Sequence, residues 1–168
     1  MTISSNFVEN QKSDKMALVY LGLGTNLGDK NANLNDAIKS VSDSVGTIIS
    51  ISSFIETKSW GFDSENLFLN AVISVASDLL PLEILKITQQ IERNLGRTKK
   101  SVQSYADRII DIDILFYDDL IVDLIELKIP HPLITERDFV LLPLIEIAPK
   151  LIHPVSGMCI SDYLKTAL

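Results

Sequence analysis

The sequence predicts an α+β protein with an antiparallel sheet and both helices packed on one of its faces. Three observations carry that prediction. Apolar residues alternate with a period of two in four short stretches, and recur at helical spacing in two longer ones. The two patterns follow one another as β-α-β-β-α-β, the split βαβ or ferredoxin-like order. The chain has 168 residues and 46% apolar content, which fits one globular domain with a core of its own.

Residues 1–15 are polar and aperiodic and read as a flexible tail, so the domain is expected over 16–168. Residues 17–23 form a short apolar run ending at glycines, a buried strand. Leu34, Ala37, Ile38, Val41 and Val45 then mark one face of a helix that Gly46 breaks. Over 47–57, Ile49, Ile51, Ser53 and Ile55 share one face of a β-branched strand. Residues 58–66 read as a loop, and 67–77 as a strand with Leu69, Ala71, Ile73 and Val75 inward. Pro81 suits a first helical turn; Ile84, Ile87, Ile91 and Leu95 follow, and Gly96 stops the helix. The fourth strand, 109–116, turns Ile110, Ile112, Ile114 and Phe116 to one face. Asp118-Asp119 is then a turn from which 120–127 returns as a hairpin strand. A helix over 135–142 stopped by Pro143, and a short one over 161–167, complete the C-terminal addition. With both main helices on one face, the other is expected to be free for binding.

Composition narrows the function. The net charge is −7 and the pI about 4.7, the reverse of the balance a general nucleic-acid binder carries. One cysteine, Cys159, excludes an internal disulfide framework and is too few for a thiolate zinc site. Two histidines exclude a His-rich metal cluster. No apolar run reaches the roughly 18 residues of a membrane span. The N-terminus lacks a basic segment followed by an apolar stretch, so no secretory signal is read. The expectation is a cytoplasmic protein, monomer or weak homodimer, acting on small molecules rather than nucleic acid or membrane.

The sharpest chemical feature is Asp111-Ile112-Asp113. Strand residues i and i+2 share a face, so both carboxylates leave the sheet together. Adjacent carboxylates repel, and one pKa rises unless a cation intervenes. Such oxygen ligands suit Mg²⁺, which binds through one or two carboxylates plus substrate phosphates; a solvated strand face is the alternative. Residues 93–108 gather Arg93, Arg97, Lys99, Lys100 and Arg108 against a single acid, Asp107. In a chain of charge −7, that basic segment feeding into an acidic pair reads as a polyphosphate clamp, with a solvated basic loop as the alternative.

Other candidates are weaker. Phe68 and Asn70 project together from the third strand, where a ring and an amide can hold a flat heterocycle; Phe68 at the edge of the core is the alternative. Phe139 and Trp60 are ring contacts or core. His131 is held between Pro130 and Pro132 in a rigid loop, whereas His153 has no charged cluster beside it and reads as structural. Gly22-Leu23-Gly24-Thr25-Asn26-Leu27-Gly28 matches no phosphate-loop pattern and reads as a tight strand-to-helix turn. No serine or cysteine has a nucleophile's setting.

The run Tyr105-Ala106-Asp107-Arg108-Ile109-Ile110-Asp111-Ile112-Asp113-Ile114-Leu115 resembles the signature of the 6-hydroxymethyl-7,8-dihydropterin pyrophosphokinases. The resemblance extends over 17–165. It includes the Gly22–Gly28 segment, 52–57, Phe68-Leu69-Asn70-Ala71, 88–92, Gly96-Arg97, Ile129-Pro130-His131-Pro132, Arg137-Asp138-Phe139 and 143–149. Asp107 stands where the family commonly carries a small residue or proline, Tyr105 where many members carry tryptophan, and Pro132 where some have tyrosine. The 96–108 loop is slightly longer than in common bacterial members.

The resemblance implies transfer of the β,γ-diphosphoryl group of ATP to the hydroxymethyl oxygen of the dihydropterin, with AMP leaving, in folate biosynthesis. It implies that Asp111 and Asp113 hold two Mg²⁺ and that Arg97 and Arg108 contact the phosphates during transfer. Phe139 then stacks on the pterin with Phe68 opposite, while Asn70, Thr57 and the segment around Trp60 read its hydrogen-bonding edge. Gln89, Glu92, Arg97, Lys100, Tyr105, Arg108, Ile114, His131 and Arg137 surround ATP, and loops 58–66 and 96–107 close over the substrates. A nucleotide-sensing module would not need the paired carboxylates. An RNA-recognition sheet would be basic and aromatic where this one is acidic. A member of the family that has lost activity is the third reading.

Overall fold

The computed structural model describes residues 2–3, 15–96 and 106–166. Arg97, Lys100 and Tyr105 lie outside the described residues. The protein is α+β, with helices packed on an antiparallel sheet. In chain order the elements are β1 (Thr2–Ile3), β2 (Ala17–Thr25), α1 (Lys30–Ser44), β3 (Thr47–Ile51), β4 (Ile55–Thr57), β5 (Phe68–Ser77), α2 (Pro81–Asn94), β6 (Asp111–Tyr117), β7 (Ile121–Asp123) and β8 (Lys128–Ile129). A 3-10 turn (Ile134–Glu136), α3 (Asp138–Ile147) and α4 (Ile160–Thr166) follow. The main sheet runs β3-β5-β2-β6 with every neighbour antiparallel, and β4 extends the pairing along β5.

One face of this sheet carries the first core. The Asp29 carboxylate accepts the Ala32 N–H at 3.0 Å and so caps α1, while Glu83 accepts the Leu80 N–H at 2.8 Å at the head of α2. Leu34, Ala37 and Val41 of α1 and Ile84 and Ile91 of α2 pack on Leu21, Leu23, Ala71, Ile73, Ile112 and Ile114. Each fully buried Leu or Ile contributes about 1.5–3 kcal/mol, so the two-residue and helical periods converge on this face.

The second face is not free. Its far half is covered by a second core in which Tyr20, Val72, Leu115 and Phe116 meet Ile134, Leu141, Leu144, Ala148 and Ile160. Phe116 lies here and not beside Ile114. Tyr20 pairs with Phe116 and Leu21 with Ile114, so Leu115 is an extra residue and the strand's parity flips at this bulge. A second bulge displaces Ile49: Ile48 packs on the first core, while Ile49 and Ile51 stay exposed.

Three other expectations are corrected. Residues 120–127 do not return along β6. Asp118 adopts a positive φ of 45°, and its N–H and carboxylate bind Leu18 at 2.9 and 2.8 Å, which ends the pairing there. The hairpin forms instead between β7 and β8, in a small second sheet ordered β1-β7-β8, where Thr2–Ile3 runs parallel to Ile121–Val122. Pro143 lies inside α3 rather than ending it, because burial of Leu141, Pro143 and Leu144 outweighs the lost backbone bond. Gly22 and Gly24 belong to β2; the turn comes later, where Gly28 takes φ 68°. No helix among the described residues is long and apolar enough to cross a membrane.

Candidate active site

Register builds the site. Gly24 pairs with Asn70 on one side and Asp111 on the other; Gly22 pairs with Val72 and Asp113. Paired residues of antiparallel strands share a face. Two positions without side chains therefore form a floor, with carboxylates along one wall and an amide along the other. The second core stops short of this end of the sheet and leaves a cleft open to solvent.

The acidic wall carries its own cation. Arg108 Nη1 donates to Asp111 Oδ2 at 2.7 Å, both side chains being mostly buried, a charge-assisted bond of the stronger kind. Arg108 Nε donates to the Ala106 carbonyl at 3.0 Å, and its guanidinium sits 5.9 Å from the Phe68 ring centre. Asp111 and Asp113 are the carboxylates of the cleft wall, and no cluster of three or more His, Cys, Asp or Glu side chains occurs among the described residues. Two carboxylates suit a hard divalent cation whose other ligands are water and phosphate oxygens.

The opposite wall is aromatic with a polar edge. Asn70, 5% exposed, donates from Nδ2 to Thr57 Oγ1 at 2.8 Å. Phe62 meets Phe68 edge to face at 6.0 Å. Trp60 lies 6.5 Å from Phe139, and the Arg137 guanidinium stands 4.7 Å over the Trp60 ring. His131 lines the cleft with its Nδ1 accepting the Leu133 N–H at 3.2 Å.

Ten sequence-derived candidates thus meet in one cleft: Thr57, Trp60, Phe68, Asn70, Arg108, Asp111, Asp113, His131, Arg137 and Phe139. Three are set elsewhere. Glu92 is buried behind the sheet, where its carboxylate accepts the Ile112 N–H at 2.8 Å. Ile114 packs in the first core, and Gln89 is half-buried on α2. The cleft also uses Gly22, Gly24, Lys58, Phe62 and Leu115, which sequence reasoning missed. The glycines had a signal, since they share the two-residue spacing of the acidic pair; Lys58 and Phe62 sit in an aperiodic loop that offers none.

Known proteins resemble this chain in sequence and in fold. Residues 20–149 match the family model of the 7,8-dihydro-6-hydroxymethylpterin-pyrophosphokinases. The chain is 50% identical over 141 residues to a 2-amino-4-hydroxy-6-hydroxymethyldihydropteridine pyrophosphokinase of Porphyromonas gingivalis, a match covering 83% of this chain and 95% of that one. It is 41% identical to the protein of the same name from Aquifex aeolicus, over 83% of this chain and 86% of the other. In fold it is similar to the wild-type Plasmodium falciparum HPPK-DHPS crystal structure with SDX-DHP, at a TM-score of 0.74 and 17% identity. That likeness covers 98% of this chain, which spans 46% of the Plasmodium chain.

Proposed function

The chain belongs to the 7,8-dihydro-6-hydroxymethylpterin-pyrophosphokinase family, and from that membership we propose that its cleft is the family's active site, with phosphates on the acidic wall and pterin on the aromatic one. The enzyme transfers the diphosphoryl group of ATP to hydroxymethyldihydropterin, a step of folate biosynthesis. The observation that carries the site assignment is the register at Gly22 and Gly24, which sets Asp111 and Asp113 across a bare floor from Asn70.

In this reading Asn70 and Thr57 hold the pterin's polar edge, and Phe68 and Phe139 cover its faces near Trp60. The hydroxymethyl oxygen attacks the β-phosphorus in line. The bond between that phosphorus and the oxygen bridging to the α-phosphate breaks, AMP leaves, and the hydroxyl proton passes to water. Asp111 and Asp113 would hold Mg²⁺, two ions in our reading, whose chemistry is to neutralise the triphosphate charge. Arg108 exchanges its bond to Asp111 for phosphate oxygens, and Arg97 is proposed as a second phosphate contact. Lys100, Tyr105, His131 and Arg137 are proposed ATP positions, whereas Gln89, Glu92 and Ile114, which the resemblance also implies, lie outside the cleft lining. Catalysis is positioning and charge neutralisation, with no covalent intermediate.

The same reading takes 16–168 as a single pyrophosphokinase domain, cytoplasmic, monomeric or weakly dimeric. The β3-β5-β2-β6 order with its two helices supports describing the core as ferredoxin-like.

The test is the identity of the nucleotide product when the chain is incubated with Mg²⁺, ATP and 6-hydroxymethyl-7,8-dihydropterin. Pterin-dependent AMP is expected. ADP would overturn the mechanism, and ATP binding without turnover would favour a nucleotide sensor. Asp113→Ala should cut turnover about 10²–10³-fold or more while circular dichroism stays unchanged; near-normal turnover would remove Asp113 from the metal site.

A further inference from the structure

Asp107 stands at a junction. Its Oδ1 accepts Asn26 Nδ2 at 2.7 Å and Ser64 Oγ at 2.6 Å, and its Oδ2 accepts Asn66 Nδ2 at 3.1 Å. Asn26 is itself fixed. It is buried, its Oδ1 accepts the Arg108 N–H at 2.7 Å, and its own N–H donates to the Arg108 carbonyl at 3.0 Å. One carboxylate therefore joins three segments: the turn after β2, the approach to β6 and the far end of loop 58–66. A proline or alanine at 107 offers no side-chain acceptor, so neither loop donor would have this partner.

That loop is part of the cleft. Lys58, Trp60 and Phe62 all line it, and the Ser59 hydroxyl donates to the Phe62 carbonyl at 2.6 Å, which ties the loop's first half together. Its second half is attached to the sheet end by Ser64 and Asn66 acting on Asp107. We propose that Asp107 is a positioning residue whose carboxylate latches loop 58–66 onto the sheet end and so sets the Trp60–Phe62 wall for the pterin. The latch itself stands on the hydrogen bonds; its consequence for the pterin rests on the function proposed above.

The donors, Ser64 first and then Asn26, hold the carboxyl below the ordinary carboxylate value of 3.8. A depressed folded-state pKa means the latch contributes fully above that value and is lost only as pH falls through the lower one. It is closed at neutral pH.

Trp60 is the chain's single tryptophan, so its fluorescence reports on this loop alone. In the full-length, ligand-free protein, Asp107→Ala should raise amide exchange across 58–66 about tenfold or more and increase acrylamide quenching of Trp60. Calorimetry should show 6-hydroxymethyl-7,8-dihydropterin bound about tenfold more weakly, and a non-hydrolysable ATP analogue with Mg²⁺ within about twofold of wild type. Because Asp107→Ala also frees Asn26, the double variant Ser64→Ala/Asn66→Ala, which leaves the Asp107–Asn26 bond in place, should reproduce the loop effects. Unchanged exchange and quenching in that double variant overturns the latch, even if Asp107→Ala fails to fold. Equal weakening of both ligands overturns the positioning role. If wild type binds no pterin either alone or with Mg²⁺ and the ATP analogue present, the functional reading falls and takes the positioning role with it, while exchange and quenching still decide the latch.

Discussion

Gly24 has Asn70 as its neighbour across one strand pair and Asp111 across the other. A Cβ built there would lie 3.2 Å from Asn70 Oδ1. The Asn70 amide cannot swing away freely, because its Nδ2 is engaged by Thr57 at 2.8 Å. Gly24→Ala should therefore weaken pterin binding by about 1–2 kcal/mol, roughly tenfold, through a displaced amide, with ATP binding little changed. Gly22→Ala should do less, since the added carbon meets the flexible end of Leu115 at 3.3 Å. Titration calorimetry of both variants with both ligands checks this; equal losses for the two ligands would mean a distorted sheet rather than a local clash. The acidic pair was legible in the sequence because spacing alone decides that two strand residues share a face. The glycines were not read with it, because a glycine-rich strand end resembles a turn until its pairing is known. The Asn70–Thr57 bond and the Glu92–Ile112 bond were illegible for a related reason: they depend on which strand and helix lie beside which.

At the scale of elements, β6 serves two purposes and its bulge makes both possible. Asp111 and Asp113 face the cleft, Ile112 and Ile114 the first core, and the extra residue at Leu115 turns Phe116 into the second core. Phe116 is fully buried and meets Tyr20 edge to face at 6.3 Å. Phe116→Ala should cost about 3–5 kcal/mol of stability, read as a lowered urea midpoint. It should also weaken pterin binding, because α3, whose first turn carries Phe139, rests on this core. A stability loss with normal pterin affinity would separate the second core from the site. The bulge was invisible beforehand: Ile110, Ile112, Ile114 and Phe116 alternate without a break, and parity cannot register an inserted residue that keeps the pattern. The helices were legible to within a few residues because their signals are local, such as Pro81 at the head of α2 and Gly46 just after α1. Pro143 misled because its local cost, about 3 kcal/mol in a helix interior, is smaller than the burial gained around it.

For the whole molecule, the order of strands and helices follows from periodicity, but the folding of the C-terminal segment over the second face does not. The signal was present in another form: α3 reads DFVLLPLIEI, apolar nearly all round, which marks a helix covered on more than one side. The molecule thus has two cores on opposite faces of one sheet, and His153 joins the second. Its ring meets Phe116 edge to face at 5.9 Å and lies 6.0 Å from Tyr163. Its Nδ1 accepts the Val155 and Ser156 N–H groups at 3.3 and 3.4 Å. Burial lowers its pKa from the ordinary 6.5. The unfolded chain therefore takes up a proton at a higher pH than the folded one. This contribution to stability is complete above 6.5 and declines as pH falls from there toward the lowered folded value. The urea midpoint should accordingly drop between about pH 7.5 and about pH 5.5, a range above most carboxylate titrations. His153→Gln should flatten that slope while preserving a side chain able to accept hydrogen bonds. An unchanged slope in the variant would assign the acid sensitivity elsewhere. A flattened slope would assign the acid sensitivity to His153 and its place in the second core behind α3.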